Sequence, residues 1–336
     1  MNRKERRQLL KEKQISNINI EQHKDSSNKK RGFFQRIYED EYKKLIFIPF
    51  TILLVAIILI VMNIAQTGEF VNKGFSLSGG TAITVVADNI NIDLIEEHLE
   101  SNLPNQQISI RVLSEAGVAR GFIIESDAQD NGEEIINELE KLSPGIKDSD
   151  NLSVTTMGSS LGDSFFRDAI LAIVIAFIFM SIVVFIIFKQ ASPSLAVILC
   201  ALSDIIVTIA AINIFGIKLS TAGIAALLML IGYSVDTDIL LSTRVIREKK
   251  GRVMTRIYNA LKTGLTMNAT TLVTVLVGIF ISQSPELKQI FTILLIGLVI
   301  DIINTWIQNV GILRLYLERK NTPNNKKIIG AEKVGE

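Results

Sequence analysis

The sequence predicts a polytopic α-helical membrane protein of six transmembrane helices, with a small α+β ferredoxin-like extracytoplasmic domain between helices 1 and 2. Three observations carry that expectation. Six apolar stretches are long enough to cross a bilayer as helices; a charged segment of about 100 residues separates the first two; and lysine and arginine are distributed unevenly among the segments between them.

The stretches run over Leu45–Ala65, Ala169–Phe188, Leu195–Phe215, Thr221–Leu241, Leu265–Ser282 and Ile290–Ile312. Residues 1–44 carry 13 Lys or Arg, the segment 242–262 carries seven, and the tail from Arg314 carries six. Residues 67–165 carry only five, against 17 Asp or Glu. Basic residues are retained on the cytoplasmic side, so both termini are expected in the cytoplasm of a multi-pass cell-membrane protein, with the acidic segment outside. The expected order is a basic cytoplasmic arm (1–44), helix 1 (45–65), the outer domain (66–165), helices 2–6 (166–316) and a cytoplasmic tail (317–336). The arm lacks the apolar core of a cleavable signal, so helix 1 reads as a retained anchor. The basic cluster Lys29, Lys30, Arg31, Arg36, Lys43 and Lys44 reads first as topology-setting charge, with contact to anionic lipid or ribosomal RNA as the sharper alternative. No nucleic-acid partner is expected.

The outer segment alternates strand and helix signals. Thr81–Ala87, Gln107–Leu113, Gly121–Glu125 and Leu152–Thr156 have strand character, whereas Ile92–Leu103 and Glu133–Leu142 have helical periodicity. The order β-α-β-β-α-β is that of a split βαβ unit. No nucleophile, base and oxyanion donors cluster there, and the chain has no P-loop or zinc pattern, so no enzyme is expected. Cys200, alone in an apolar run, supports neither a disulfide nor a cysteine metal site, and His23 and His98 are too far apart for a histidine centre. Neither cofactor nor metal is expected.

The most informative residues are the carboxylates inside apolar spans, each costing roughly 2.5 kcal/mol or more to insert. Asp204 lies in the third span, Asp236 and Asp238 in the fourth, and Asp301 in the sixth. Asp301, Asn304, Thr305 and Gln308 stand at helical spacing, forming one polar stripe that must face other helices. Asn268, with Thr270, Thr271 and Thr274, offers partners from the fifth span. Asp236 and Asp238 diverge by about 200° around their helix, so only one can face a given neighbour. The functional reading is a relay that takes up and releases protons or sodium; the plainer one is a polar packing network. Lys262 at the cytoplasmic edge is a further ion-coupling candidate, although for it and Arg244 topology-setting charge is the favoured reading.

GYSVDTDILLSTRVIRE (Gly232–Glu248) closely resembles the signature of the SecF family of the SecD–SecF protein-export complex in its archaeal form, a branch of the resistance-nodulation-division superfamily. GFSLSGGTAI (Gly74–Ile83), LGDSFFRDA (Leu161–Ala169) and ALSD (Ala201–Asp204) are similar to three further motifs of that family, in the same order. The resemblance covers about residues 45–316. It implies a SecD-like partner subunit in a heteromeric complex, contact with the Sec translocon channel and a translocating polypeptide, and ion-gradient coupling through intramembrane aspartates. It leaves open whether Asp236 or Asp238 inherits the coupling role; Lys262 falls near the position of a family arginine. Ser76 stands where the family pattern carries an acidic residue.

Within the glycine motif, Gly79 and Gly80 before Thr81 suit a joint between membrane helix and outer domain, either a hinge or a rigid tight turn. A small-molecule or lipid efflux transporter of the same superfamily, or a translocon scaffold that uses no ion gradient, are the competing functions.

Overall fold

The computed structural model describes residue 38 and residues 41–86, 92–103, 108–115, 118–126, 132–142, 152–248 and 253–320. The basic residues 29–36, His23 and residues 321–336 of the C-terminal tail therefore lie outside the described residues. Six helices are long and apolar enough to span a membrane: α1 (Tyr42–Thr67), α5 (Ser159–Phe188), α6 (Ala191–Ile214), α7 (Thr221–Ile246), α8 (Val253–Ile281) and α9 (Pro285–Lys320). The protein is a multi-pass membrane protein. Helices α5, α8 and α9 outrun the apolar stretches that announce them, because charged and polar residues in their extensions break the continuous hydrophobicity that defines a span.

Helices α6, α7 and α9 form the centre of the bundle. The apolar window of α6 is 61% buried, against 11% for α1 and 6% for α5, which present most of their surface outward. Two apolar clusters fill the centre. One, towards the outer domain, joins Leu227, Leu230, Ile293 and Leu298; the other, towards the opposite end, joins Leu241, Val245, Ile257, Trp306 and Val310. Close approach is needed at Gly297, where a Cβ would lie 2.4 Å from the Leu230 side chain. Between these clusters each of the three helices buries polar residues, Asp204 on α6, Asp238 on α7 and Asp301 on α9 among them.

The outer segment begins with a four-residue helix, α2 (Phe75–Ser78), followed by β1 (Gly80–Val86), α3 (Ile92–Asn102), β2 (Ile108–Glu115), β3 (Val118–Ser126), α4 (Gly132–Leu142) and β4 (Leu152–Met157). The sheet order is β2-β3-β1-β4, and β1 pairs antiparallel with both β3 and β4. Ile83, Val85, Phe122 and Ile124 alternate onto one face, where they meet Ile95 and Leu99 of α3 and Ile135 and Leu139 of α4. Arg111 and Glu125 project from the other face as an ion pair. The Glu125 side chain is 3% exposed and that of Arg111 38%. Burial pushes the Arg111 guanidinium below its ordinary value, an effect that the carboxylate of Glu286 opposes. On α3, His98 bonds Glu138 of α4 at 3.1 Å.

The domain is stitched to the bundle through residues 69–79. The amide of Gly74 donates to Leu219 O at 2.8 Å, that of Leu219 to Asn72 O at 2.7 Å, and Asn213 Nδ2 to Phe70 O at 2.9 Å. Ser76 is buried, and its Oγ accepts the Thr221 amide at 3.3 Å. It thus helps satisfy the free donors at the start of α7, which Ser220 also caps. A cavity of about 520 Å³ lies at this seam, its walls including Glu69, Lys73, Gly79, Glu125 and Lys218.

Gly79 and Gly80 have φ of 82° and 126°, backbone angles that favour glycine. A Cβ on Gly79 would come within 2.5 Å of Ser159 Cα, and one on Gly162 within 2.7 Å of the Gly79 nitrogen. The motif before β1 and the motif at the entry to α5 therefore pack backbone against backbone, a tight joint. Thr81 is buried on β1 opposite Thr156.

Candidate functional site

The polar layer is built on Asp204 of α6, Asp238 of α7 and Asp301 of α9, all at most 1% exposed. None of the ion pairs among the described residues includes any of the three. Their partners are uncharged. Asp204 accepts from Ser234 Oγ at 2.5 Å and from Asn304 Nδ2 at 2.7 Å. Asp238 Oδ1 accepts from Thr305 Oγ1 at 2.9 Å and Asn309 Nδ2 at 2.7 Å. Asp301 lies within reach of Thr237 Oγ1 at 3.3 Å, Asn268 Nδ2 at 3.4 Å and Thr305 Oγ1 at 3.2 Å. Thr305 has one hydroxyl proton and two carboxylates in range, so it serves only one of Asp238 and Asp301 at a time.

Helix α9 supplies three of these six donors, Asn304, Thr305 and Asn309, because it changes register. Residues Asn304–Asn309 form a π-helix, in which hydrogen bonds close over five residues. In a regular α-helix Asn304 and Asn309 would be separated by about 140° around the axis. The wider turn lets Asn304, Thr305, Gln308 and Asn309 all turn inward, each at most 1% exposed. Asp301, Asn304, Thr305 and Gln308 are all buried, and the π turn brings Asn309 in beside them.

Several acceptors in this layer have no protein donor. Asp238 Oδ2, Ser242 Oγ, Asn268 Oδ1, Gln308 Oε1 and Asn309 Oδ1 are buried without a hydrogen-bond partner. Gln308 instead uses its Nε2 on Ser203 Oγ at 3.3 Å. Each such oxygen calls for a proton, water or cation.

The other sequence candidates lie elsewhere. Asp236 is exposed on α7, since it is two residues from the inward-facing Asp238. Lys262 is exposed on α8 beside Leu265, Thr266 and Thr270, not in the polar layer. Arg244, near the end of α7, donates from Nη1 to Asn259 O of α8 at 3.3 Å. Gly79, Gly80 and Thr81 belong to the domain joint. Sequence reasoning missed Ser203, Ser234, Thr237 and Asn309. A signal for the last was available: four of the six residues in NTWIQN are polar within an otherwise apolar helix. No group of three or more His, Cys, Asp or Glu suited to a metal ion occurs among the described residues.

An acidic layer in the middle of a helical bundle, with a small α/β domain joined to one end, defines a polytopic membrane protein with a polar interior. Residues 138–319 match the family model for the C-terminal region of the protein-export membrane proteins SecD and SecF. Among curated relatives, the protein-export membrane protein SecF of Pyrococcus furiosus is 39% identical over 285 residues, covering 84% of this chain and 94% of that one. The SecF of Methanocaldococcus jannaschii is 38% identical, over 82% and 96% of the two chains. The chain belongs to the SecF family of protein-export membrane proteins. Its fold is similar to the crystal structure of SecDF, a translocon-associated membrane protein from Thermus thermophilus, with a TM-score of 0.66 at 21% identity. The match covers 83% of this chain but only 38% of that longer one.

Proposed function

We propose that this SecF-family subunit assists polypeptide export across the cell membrane by coupling an ion gradient to movement of its outer domain, with Asp204, Asp238 and Asp301 as the ion-coupling groups. One observation carries the reading: three buried carboxylates share a layer of neutral donors, without a cation from the described residues to balance them. Carboxylates this deeply buried need a proton or a cation to compensate their charge. The donor-less oxygens of Asp238, Asn268, Gln308 and Asn309 are suited to such a visitor. A network serving only to pack helices would be expected to satisfy its own acceptors.

In this reading Asp238, not Asp236, is the coupling residue of α7. Asp236 is exposed on a face that also bears Ala225 and Gly232, where a second helix could approach closely and shield it. A SecD-like subunit is the partner this requires, and the translocon channel and the translocating polypeptide are the assembly's further contacts. The charge asymmetry supports cytoplasmic termini. The outer unit, with α3 and α4 on one face of a β2-β3-β1-β4 sheet, is then a ferredoxin-like domain on the extracytoplasmic side.

The test is export of a reporter protein by cells whose only copy of this subunit carries Asp238→Asn or Asp301→Asn, each near-isosteric. Export should fall at least tenfold with the protein still inserted and partnered; Asp236→Asn should retain more. Export at the wild-type rate in both buried variants would leave the scaffold reading in its place.

A further inference from the structure

The π turn of α9 is gripped from outside the polar layer by the residues that precede and open α1. Tyr38 Oη donates to the backbone oxygen of Trp306 at 2.8 Å, across 268 positions of sequence. Its ring lies 6.3 Å from that of Tyr258, and its own carbonyl accepts Arg314 Nη1 at 2.9 Å. The Arg314 guanidinium in turn sits 3.7 Å from the centre of the Tyr42 ring. Two glycines admit the parts of this grip: a Cβ on Gly264 would lie 2.3 Å from the Trp306 indole, and one on Gly311 would lie 2.2 Å from Ile46. Trp306 and Gly311 bracket Gln308 and Asn309, the end of the polar stripe.

We infer that Tyr38 is a positioning residue whose hydroxyl holds residues 304–309 in the π register, and so sets which donors reach Asp204 and Asp238. An external donor favours a carbonyl that tilts out of its helix, as the carbonyls of a widened turn do. Closing the turn to α removes one residue from it and rotates one flank against the other by about 100°. That rotation withdraws the Asn309 amide from Asp238 while Thr305, nearer the start of the turn, moves less. Burial holds the Tyr38 phenol well above its ordinary value, so it remains a donor throughout the physiological range. The inference rests on these contacts alone and stands whether or not the carboxylates carry ions.

Hydrogen exchange on the full-length chain in lipid nanodiscs tests it. Tyr38→Phe keeps the ring and removes only the hydroxyl. Backbone amides of residues 304–311 should exchange about fivefold faster, the factor that corresponds to a hydrogen bond of about 1 kcal/mol, with residues 290–300 unchanged. Tyr316→Phe, which removes a 2.6 Å bond to Gln190, should leave 304–311 at the wild-type rate. Tyr38→Phe and Asn309→Ala should also be less than additive in thermal stability, because releasing the register already loosens Asn309. Wild-type exchange at 304–311 in Tyr38→Phe, acceleration spread evenly along α9, or full additivity of the two substitutions would each overturn the inference.

Discussion

Asn309 donates to Asp238 at 2.7 Å across 71 residues of chain, from a position that regular α-helical geometry would turn away from Asp301 by about 80°. The contact exists because a π turn intervenes between the two residues of α9. Replacing Asn309 by Ala leaves Asp238 with Thr305, itself shared with Asp301, and the weakly donating Cys200 thiol. The expected loss is about 1–3 kcal/mol of stability, read from thermal unfolding in detergent, since a buried carboxylate then lacks its one amide donor. Asn309→Gln should recover only part of it.

That contact marks the boundary of what the sequence discloses. The six spans are legible because apolar length is a local property, and Asp204 and Asp301 stand out because insertion of a carboxylate is costly wherever it occurs. The strand and helix order of the outer domain is readable from periodicity, as are the positions of its helices. Which of Asp236 and Asp238 faces inward depends on the rotation of α7 against α6 and α9, and no residue within α7 encodes that. The π turn is hidden for a similar reason: it is stabilised by Tyr38 and by the packing of Trp306 and Ile46, contributed from both ends of the chain. Ser76 looks like a plain substitution in the glycine motif until its oxygen is seen beside the Thr221 amide.

The joint between outer domain and α5 should tolerate no added carbon. Gly79→Ala must place a Cβ against the Ser159 backbone and adopt a positive φ, and Gly162→Ala must press on the Gly79 nitrogen. Strain and overpacking of this kind cost about 1–3 kcal/mol each. Limited proteolysis should cut the outer domain of either variant faster than that of the wild type, at unchanged membrane insertion.

Breaking the Arg111–Glu125 pair from the basic side should destabilise the outer domain. Arg111→Met leaves Glu125, whose side chain is 3% exposed, without its counter-charge. A fully buried pair would lose about 3–5 kcal/mol, and the partial exposure of Arg111 reduces the expected loss to about 1–3 kcal/mol. Adding Glu125→Leu to Arg111→Met should restore most of it. Thermal unfolding of the three variants checks both statements.

Acid should loosen the contact between α3 and α4. Lys141 first, and His98 after it, hold the Glu138 carboxylate below its ordinary value. Its folded-state value is therefore below the unfolded one, so its contribution is complete above the unfolded value of about 4.5 and is lost as pH falls through the folded value. In hydrogen exchange of the wild type, protection of residues 132–142 should decline in that acidic window; in Glu138→Gln this step should be missing.

Ion flux through the chain purified together with the proposed SecD-like subunit, in proteoliposomes under an imposed proton or sodium gradient, tests the central claim most directly. The account predicts gradient-dependent uptake for the wild type and Asp236→Asn, and a fall of at least tenfold for Asp238→Asn and Asp301→Asn. Equal uptake by the wild type and the two buried-site variants would contradict it.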